Sequence, residues 1–204
     1  WRDIFSGQYA LYTLMLNGGM LLFAINQFVV ATIMPSVVAD LGGVNYLPWA
    51  FSLFAVGSII GAAGAGPVRD AWGARRSYTG AALVLGIGLL GAALASGMLT
   101  FVGWRLVQGI GGGALAALSY GLVAVMYPEH LRGRVLSTIS TTWGIATVGG
   151  PGYGALFASG GLWRAAFWSL APLTIVFALL AWRYVTGAPD LAGRTSMPWW
   201  RLAL

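Results

Sequence analysis

Six long apolar runs constrain this chain more than any other feature of its sequence. Each run reaches the ~20 residues that an α-helix needs to cross the hydrocarbon core of a bilayer. None alternates apolar and polar residues as membrane β-strands do. We therefore predict an all-α integral membrane protein with six transmembrane helices. The predicted helices are Tyr9–Met34, Leu47–Ala65, Ser77–Ser96, Leu99–Met126, Val135–Ser159 and Trp163–Val185.

The arginines predict how these helices are oriented. All eleven basic residues are arginine, and when the loops are assigned to alternate sides, nine arginines fall on one side. Loops with an excess of positive charge stay in the cytoplasm. We therefore expect an integral protein of the cell (inner) membrane with both termini cytoplasmic. Residues 1–186 form the predicted six-helix bundle, and 187–204 form a cytoplasmic linker and the start of a further hydrophobic segment.

Composition excludes several kinds of site. The chain has no Cys, one His and five acidic residues, so we expect neither a disulfide, nor a metal site, nor a cofactor. The net charge is +6, but the basic residues lie in short loops between apolar runs, which fits membrane topology better than nucleic-acid binding. No pairing of a nucleophile with a base is visible, so the sequence does not indicate an enzyme.

One full charge, Arg105, lies inside the fourth apolar run. Placing Arg in a bilayer helix costs roughly 2.5 to 3.5 kcal/mol on insertion scales, so the side chain needs a partner, a cavity or a nearby interface. It is therefore a candidate functional residue. The alternative is that Arg105 extends to the membrane surface, since it lies only about one and a half turns inside the helix. The glycines that follow, Gly109 and Gly111 to Gly113, favour close approach of a neighbouring backbone.

The segment between the second and third predicted helices carries a motif with specific spacing, Gly-x3-Asp-x2-Gly-x-Arg-Arg. This spacing resembles the loop signature of the major facilitator superfamily, although Ala71 replaces the usual basic residue. The resemblance implies that the loop holds the cytoplasmic gate closed in the outward-open state, and that Ala71 weakens this contact. The matching residues are Gly66, Asp70, Gly73, Arg75 and Arg76.

Two further stretches resemble signatures of the same family. Arg105-x2-Gln108-Gly109 is similar to its fourth-helix signature, and the segment from Gly144 to Ala155 is similar to the fifth-helix signature of its antiporters. In the latter, Pro151 removes one intrahelical hydrogen bond and the glycines allow bending and close packing. The gating residues that we predict in these two stretches are Gly109, Gly144, Gly149, Gly150, Pro151 and Gly154.

The first helix resembles the opening helix of the drug:proton antiporter branch, but Asn26 stands where that pattern has Asp. A carboxylate there can exchange a proton and pair with the fourth-helix Arg, whereas an amide can do neither. Three explanations stay open: coupling groups lie in a second half, Asn26 mimics a protonated carboxylate, or transport is not proton-coupled. Arg105 should then hydrogen-bond to neutral acceptors such as Asn26, Gln108 or backbone carbonyls.

The resemblance implies one six-helix half, built from 3+3 inverted repeats, of a proton-coupled multidrug exporter of the fourteen-helix type. Its partners would be membrane lipid, an amphipathic small molecule, protons, and a second half from the same polypeptide or a second copy. The alternative is a half-size chain that acts as a parallel homodimer, or a non-transporting membrane assembly. The candidate substrate and coupling residues are Asn26, Gln27, Thr32, Arg105, Gln108, Tyr120, Thr142 and Trp143.

Overall fold

The computed structural model describes residues 1–158 and 161–185, and all regular structure within them is helical. The predicted linker at 187–204 and Ser159, the last residue of the fifth predicted helix, lie outside the described residues. Two short 3-10 helices, Arg2–Phe5 and Val44–Tyr46, precede the first and second α-helices. The α-helices are α1 (Gly7–Leu41), α2 (Leu47–Ala93), α3 (Met98–Met126), α4 (Glu129–Ala158) and α5 (Trp163–Tyr184).

The long helix α2 consists of two limbs, 47–72 and 74–93, that are separated at Gly73. This residue has φ 78° and ψ 159°, which is not helical and which favours glycine over any residue with a Cβ. Both limbs pack against α3. Along the first limb the contacting residue numbers rise together, and along the second they run in opposite order. The pairs are Gly57 with Leu106 and Gly61 with Ile110, then Gly91 with Trp104 and Gly88 with Gln108.

The two limbs are therefore antiparallel, and they correspond to the separate second and third helices that the sequence predicts. Four helical stretches are long and apolar enough to cross a membrane, and one of them contains both limbs of α2. Helix α4, with its many polar and small residues, is not among the four. The four candidate spans are Tyr9–Leu41, Val44–Ala93, Met98–Met126 and Trp163–Tyr184.

Three predicted helix limits are wrong by six or seven residues, and one is the end of the second predicted helix, which continues past Ala65 to residue 72. Helix α1 continues through Pro35 to Leu41, because the turn beyond the apolar run still buries Val37 in the core. Helix α4 begins at Glu129, so the segment from Glu129 to Arg134, predicted as a loop, is helical. Pro128 is well suited to the position before this helix, and the negative Glu129 interacts favourably with the helix dipole.

A buried polar contact joins α1, the second limb of α2 and α3. The Tyr78 hydroxyl, on the second limb of α2, donates to the backbone oxygen of Met15 at 3.0 Å and lies 2.9 Å from the Ser119 hydroxyl. Tyr78 is fully buried, and its hydroxyl lies against Gly19 of α1. Because Gly19 has no side chain, the Tyr78 phenol has room to reach the Met15 carbonyl. A carbonyl oxygen has two lone pairs, so this one can accept a second hydrogen bond besides the one within α1.

Candidate functional site

Arg105 lies in the protein interior, with 0% of its surface exposed. Its Nε donates to the backbone oxygen of Ala50 at 3.2 Å, and one terminal nitrogen, Nη1, donates to Oε1 of Gln108 at 2.5 Å. The guanidinium carbon lies 4.1 Å from the centre of the Phe54 ring, in cation–π contact. The alternative that Arg105 merely extends to the membrane surface is therefore wrong.

Gln108 connects this charge to the other limb of α2. Its amide nitrogen donates to the backbone oxygen of Gly88 at 3.0 Å, while its amide oxygen accepts from Arg105. Arg105 is thus linked by a direct hydrogen bond to Ala50 on the first limb and, through Gln108, to Gly88 on the second limb. Within the described residues, the three ion pairs do not include Arg105, and its second terminal nitrogen, Nη2, has no hydrogen-bond partner.

Three glycines of α3 bring the backbone close enough for these contacts. A Cβ on Gly109 would lie 3.0 Å from the backbone nitrogen of Ser58, and one on Gly113 would lie 2.5 Å from the Ser58 Cα. On the other side, a Cβ on Gly111 would lie 2.8 Å from the Cα of Leu85. Each distance is shorter than ordinary van der Waals contact. These glycines therefore let α3 fit between the two limbs, as the sequence predicted for close backbone approach.

Asn26 is also buried, with 1% of its surface exposed, but it does not hydrogen-bond to Arg105. Neither atom of its amide group has a hydrogen-bond partner in the described part of the chain. The expectation that Arg105 binds neutral acceptors is confirmed for Gln108 and a backbone carbonyl, and it is wrong for Asn26. Acceptors on α2 and α3 bind two of the guanidinium donors, Nε and Nη1, and the Phe54 ring lies over one face of the guanidinium.

Aromatic rings form a continuous wall beside the buried Arg105. Phe54 stacks on Phe23 with ring centres 5.8 Å apart, and Phe23 meets the edge of Trp143 at 5.9 Å. Phe28 contacts the same Trp143 at 6.0 Å. The wall joins α1, α2 and α4. Sequence reasoning selected Trp143 and missed the three Phe residues, because a Phe in an apolar helix carries no signal that separates a site from the core.

A second polar cluster joins α1 to α4 through Thr142. The Thr142 hydroxyl donates to the amide oxygen of Asn17 at 2.7 Å, and the Asn17 amide nitrogen donates to the Thr138 hydroxyl at 3.0 Å. Asn17 also donates to the backbone oxygen of Thr13 at 2.8 Å. Sequence reasoning missed Asn17 and Thr138, although the criterion that selected Thr142, a polar side chain on an apolar helix, applies equally to both.

The remaining substrate candidates are dispersed. Gln27 and Thr32 are half-buried on α1, and the Thr32 hydroxyl donates to the backbone oxygen of Phe28 at 3.4 Å. Tyr120 on α3 is 44% exposed. No hydrogen bond in the described residues joins these three side chains to Arg105, so the structure does not gather the predicted residues into one cluster.

The segment predicted as the gating loop is helical except at Gly73. Gly66 lies within the first limb of α2 and does not take part in the chain reversal. The reversal needs only one residue with positive φ, which is Gly73. Asp70 accepts from Arg69 at 2.9 Å, and the Arg75 guanidinium lies 4.0 Å from the centre of the Trp182 ring.

The glycines of α4 fall into two groups. A Cβ on Gly150 would lie 2.5 Å from the Cβ of Phe28, and one on Gly154 would lie 2.9 Å from the Cβ of Thr32, so both let α4 approach α1. In contrast, a Cβ on Gly144 or Gly149 would meet no atom within 4 Å. These two glycines, like Pro151, are on the exposed surface of the helix.

Across residues 1–158 and 161–185, His, Asp and Glu do not form a group of three or more that could hold a metal ion. What the described residues provide instead is one buried cation, two amide side chains and an aromatic wall.

Comparisons of the sequence with known proteins give matches over most of the chain. The model of the Major Facilitator Superfamily matches residues 16–197. A probable multidrug-efflux transporter of Mycobacterium tuberculosis is 39% identical over 180 residues, which are 88% of this chain and 38% of that protein. Multidrug resistance protein 3 of Bacillus subtilis is 28% identical over 81% of this chain and 32% of its own length. The chain therefore spans about a third of the length of these relatives.

Solved structures show the same fold at lower identity. The crystal structure of a D-xylose-proton symporter superposes with a TM-score of 0.76 at 22% identity, over 96% of this chain and 50% of that one. The xylose transporter of E. coli in its inward-open conformation gives a TM-score of 0.72 at 23% identity, over 87% of this chain and 48% of that one.

Proposed function

The chain belongs to the major facilitator superfamily, a family of membrane transporters rather than enzymes, and from this premise we propose that it forms one bundle of a secondary active exporter. The bundle crosses the membrane six times, with the two limbs of α2 counted separately, and is built from 3+3 inverted repeats. Transport proceeds by alternating access, as this bundle rocks against a second one around a site near the bilayer midplane.

The observation that carries this proposal is the buried Arg105. A charge within an apolar bundle is costly to keep, and such charges occur mainly where a transporter binds substrate or moves ions. Here the guanidinium retains one free donor, Nη2, and borders the aromatic wall that includes Phe54 and Trp143. A surface with both features suits an amphipathic, partly aromatic substrate, and the multidrug-efflux name of the mycobacterial relative supports the same class.

The proposal also concerns the group that carries a coupling proton. Within the described residues, the acidic side chains lie at the ends of helices and are exposed; they are Asp3, Asp40, Asp70 and Glu129. In the first of three forms of this proposal, a proton-carrying carboxylate comes from the second bundle. In the two alternative forms, Asn26 takes the place of a protonated carboxylate, or transport by this protein is not coupled to protons.

The exposed face of α4 supports contact with a second bundle. Val148 is 79% exposed, and it lines an open concavity of about 630 Å³ together with Thr141, Gly144, Ile145 and Gly149. An apolar helix face with small residues is the kind of surface that membrane helices use for close packing. The second bundle comes from the same polypeptide or from a second copy of the chain. Both termini are cytoplasmic in this proposal, since the arginine-rich loops lie on that side.

Transport by the reconstituted full-length protein tests the leading proposal. We expect dye efflux from liposomes that depends on a pH gradient, and a loss of at least about tenfold in Arg105→Gln, since the buried charge and its contacts with Ala50 and Gln108 are removed. Arg183→Gln is the matched control, because it removes the same charge from an exposed position at the end of α5. Absence of transport, or equal efflux by both variants, would contradict the proposal.

The mass of the assembly in detergent tests the parallel-homodimer alternative. If the chain by itself forms the complete transporter, native mass measurement should show two copies. A strictly monomeric species of 21.4 kDa would exclude the homodimer.

A further inference from the structure

A groove separate from the Arg105 site lies between the two limbs of α2 and helix α3. It has a volume of about 350 Å³, within the range of small-molecule pockets. Its walls are apolar, and several of its residues are too small to fill the space between the helices. Among the lining residues are Gly61, Gly64, Gly80, Ala81 and Ala114.

The groove has the length of one bilayer leaflet. Its lining along the first limb of α2 extends from Gly61 to Trp72, eleven residues later, which is about 17 Å of helix. Half of the hydrocarbon core measures about 15 Å. Gly61 packs against the backbone of Ile110 at the deep end, and the other end opens beside the chain reversal at Gly73.

The open end carries one positively charged side chain, Arg76. It is exposed, and no hydrogen bond, ion pair or cation–π contact engages it within the described part of the chain. Its neighbours differ: Arg69 pairs with Asp70, and Arg75 lies over Trp182.

The rim also carries an aromatic residue suited to the membrane interface. Trp72 is 64% exposed, and Trp is enriched at the depth of lipid headgroups. The Ser77 hydroxyl, in contrast, already donates to the backbone oxygens of Val68 and Gly73, so Arg76 is the polar group available to a ligand at this end.

We propose that this groove binds an anionic phospholipid, with one acyl chain between the limbs of α2 and the phosphate at Arg76. In a bilayer the groove cannot remain hydrated, and an acyl chain matches both its apolar lining and its length. Basic pockets between membrane helices on the cytoplasmic side favour anionic headgroups. The site goes beyond the transport proposal and does not depend on the substrate, because lipid binding is measured without substrate and without a pH gradient.

Native mass spectrometry of the delipidated full-length protein in neutral detergent tests this site. The protein is titrated with phosphatidylglycerol or phosphatidylcholine of identical acyl chains. We expect the first phosphatidylglycerol to bind at least about fivefold more tightly, which is the effect of one arginine near an anionic lipid. In Arg76→Gln the preference should fall below about twofold, whereas Arg183→Gln should keep it.

Substitutions that fill the groove test whether an acyl chain binds there. Gly64 lines the groove and has room for a Cβ, which would meet no atom within 4 Å, so Gly64→Leu adds a large side chain to the lining; Gly80→Leu is a second variant of the same kind. Gly103→Leu is the control, because Gly103 is equally open and lies outside the groove. We expect at least about fivefold weaker phosphatidylglycerol binding in both groove variants and a change below about twofold in the control.

Three results would overturn the proposal. Equal affinity for the two lipids would remove the role of the charge. Unchanged binding in both groove variants would assign Arg76 to a headgroup or free phosphate without an acyl chain in the groove. A lipid-free dimer that Gly64→Leu dissociates would assign the groove to a second copy of the chain.

Discussion

Gly109→Ala should destabilise the protein, because it adds one methyl group at a close contact between the backbones of α3 and the first limb of α2. The new Cβ would overlap the backbone oxygen of Phe54 and lie 3.0 Å from the Ser58 nitrogen. Neither atom belongs to a flexible side chain, so the helices would have to separate. Separation would also move Phe54 away from the Arg105 guanidinium, which now lies 4.1 Å from its ring centre.

The magnitude follows from comparison with an open glycine on the same helix. Replacing Gly by Ala in a helix gains up to about 1 kcal/mol of helix propensity, and Gly103→Ala should show this gain because its Cβ meets no atom within 4 Å. Overpacking typically costs about 1–3 kcal/mol. The gain is common to both variants, so their difference in unfolding free energy should equal the packing cost, about 1–3 kcal/mol.

Thermal unfolding of the purified variants in one detergent measures this difference. At about 2–4 °C for each kcal/mol, Gly109→Ala should melt roughly 2–12 °C below Gly103→Ala. Dye efflux should fall in the same variant, since the contacts of Arg105 depend on the same helix spacing. A Gly109→Ala protein that melts at or above the Gly103→Ala protein would refute the reasoning from close packing.

Three other predictions follow from single contacts. Gly73→Ala should lower the unfolding free energy by about 1–3 kcal/mol, because φ is 78° at this residue. Gly66→Ala is the control and should not destabilise the protein, since Gly66 is helical and a Cβ there meets no atom within 4 Å. Equal melting temperatures of the two variants would contradict this prediction. Tyr78→Phe should lower the unfolding free energy by about 0.5–1.5 kcal/mol, because it removes the hydrogen bond to the Met15 carbonyl, which keeps its donor within α1; unchanged thermal stability would argue against that bond. Asn26→Asp should add a pH-dependent step to transport between about pH 5 and 9, and a flat pH profile of efflux would show that this position does not couple.

The helices were largely predictable from the sequence, and the site was predictable only in part. Apolar runs locate membrane helices because hydropathy is a property of consecutive residues, and α3 agrees with its predicted limits within one residue. The limits of α1, of the first limb of α2 and of α4 were wrong because helical turns beyond an apolar run carry no hydropathy signal. The choice of Arg105 followed from its charge, and that of Gln108 from the motif, but the Phe residues beside them resemble any other core residue.

The sequence by itself determined the all-helical class, the family resemblance and the presence of one charge within an apolar run, because each depends on residue type and local spacing. Only the tertiary structure decided what that charge contacts. Ala50 lies 55 positions from Arg105 in the chain, and it reaches the guanidinium because the chain reverses at Gly73 and the glycines of α3 admit both limbs of α2. The same packing leaves Arg105 and Asn26 without a mutual hydrogen bond, since contacts between side chains on different helices depend on how closely their backbones approach.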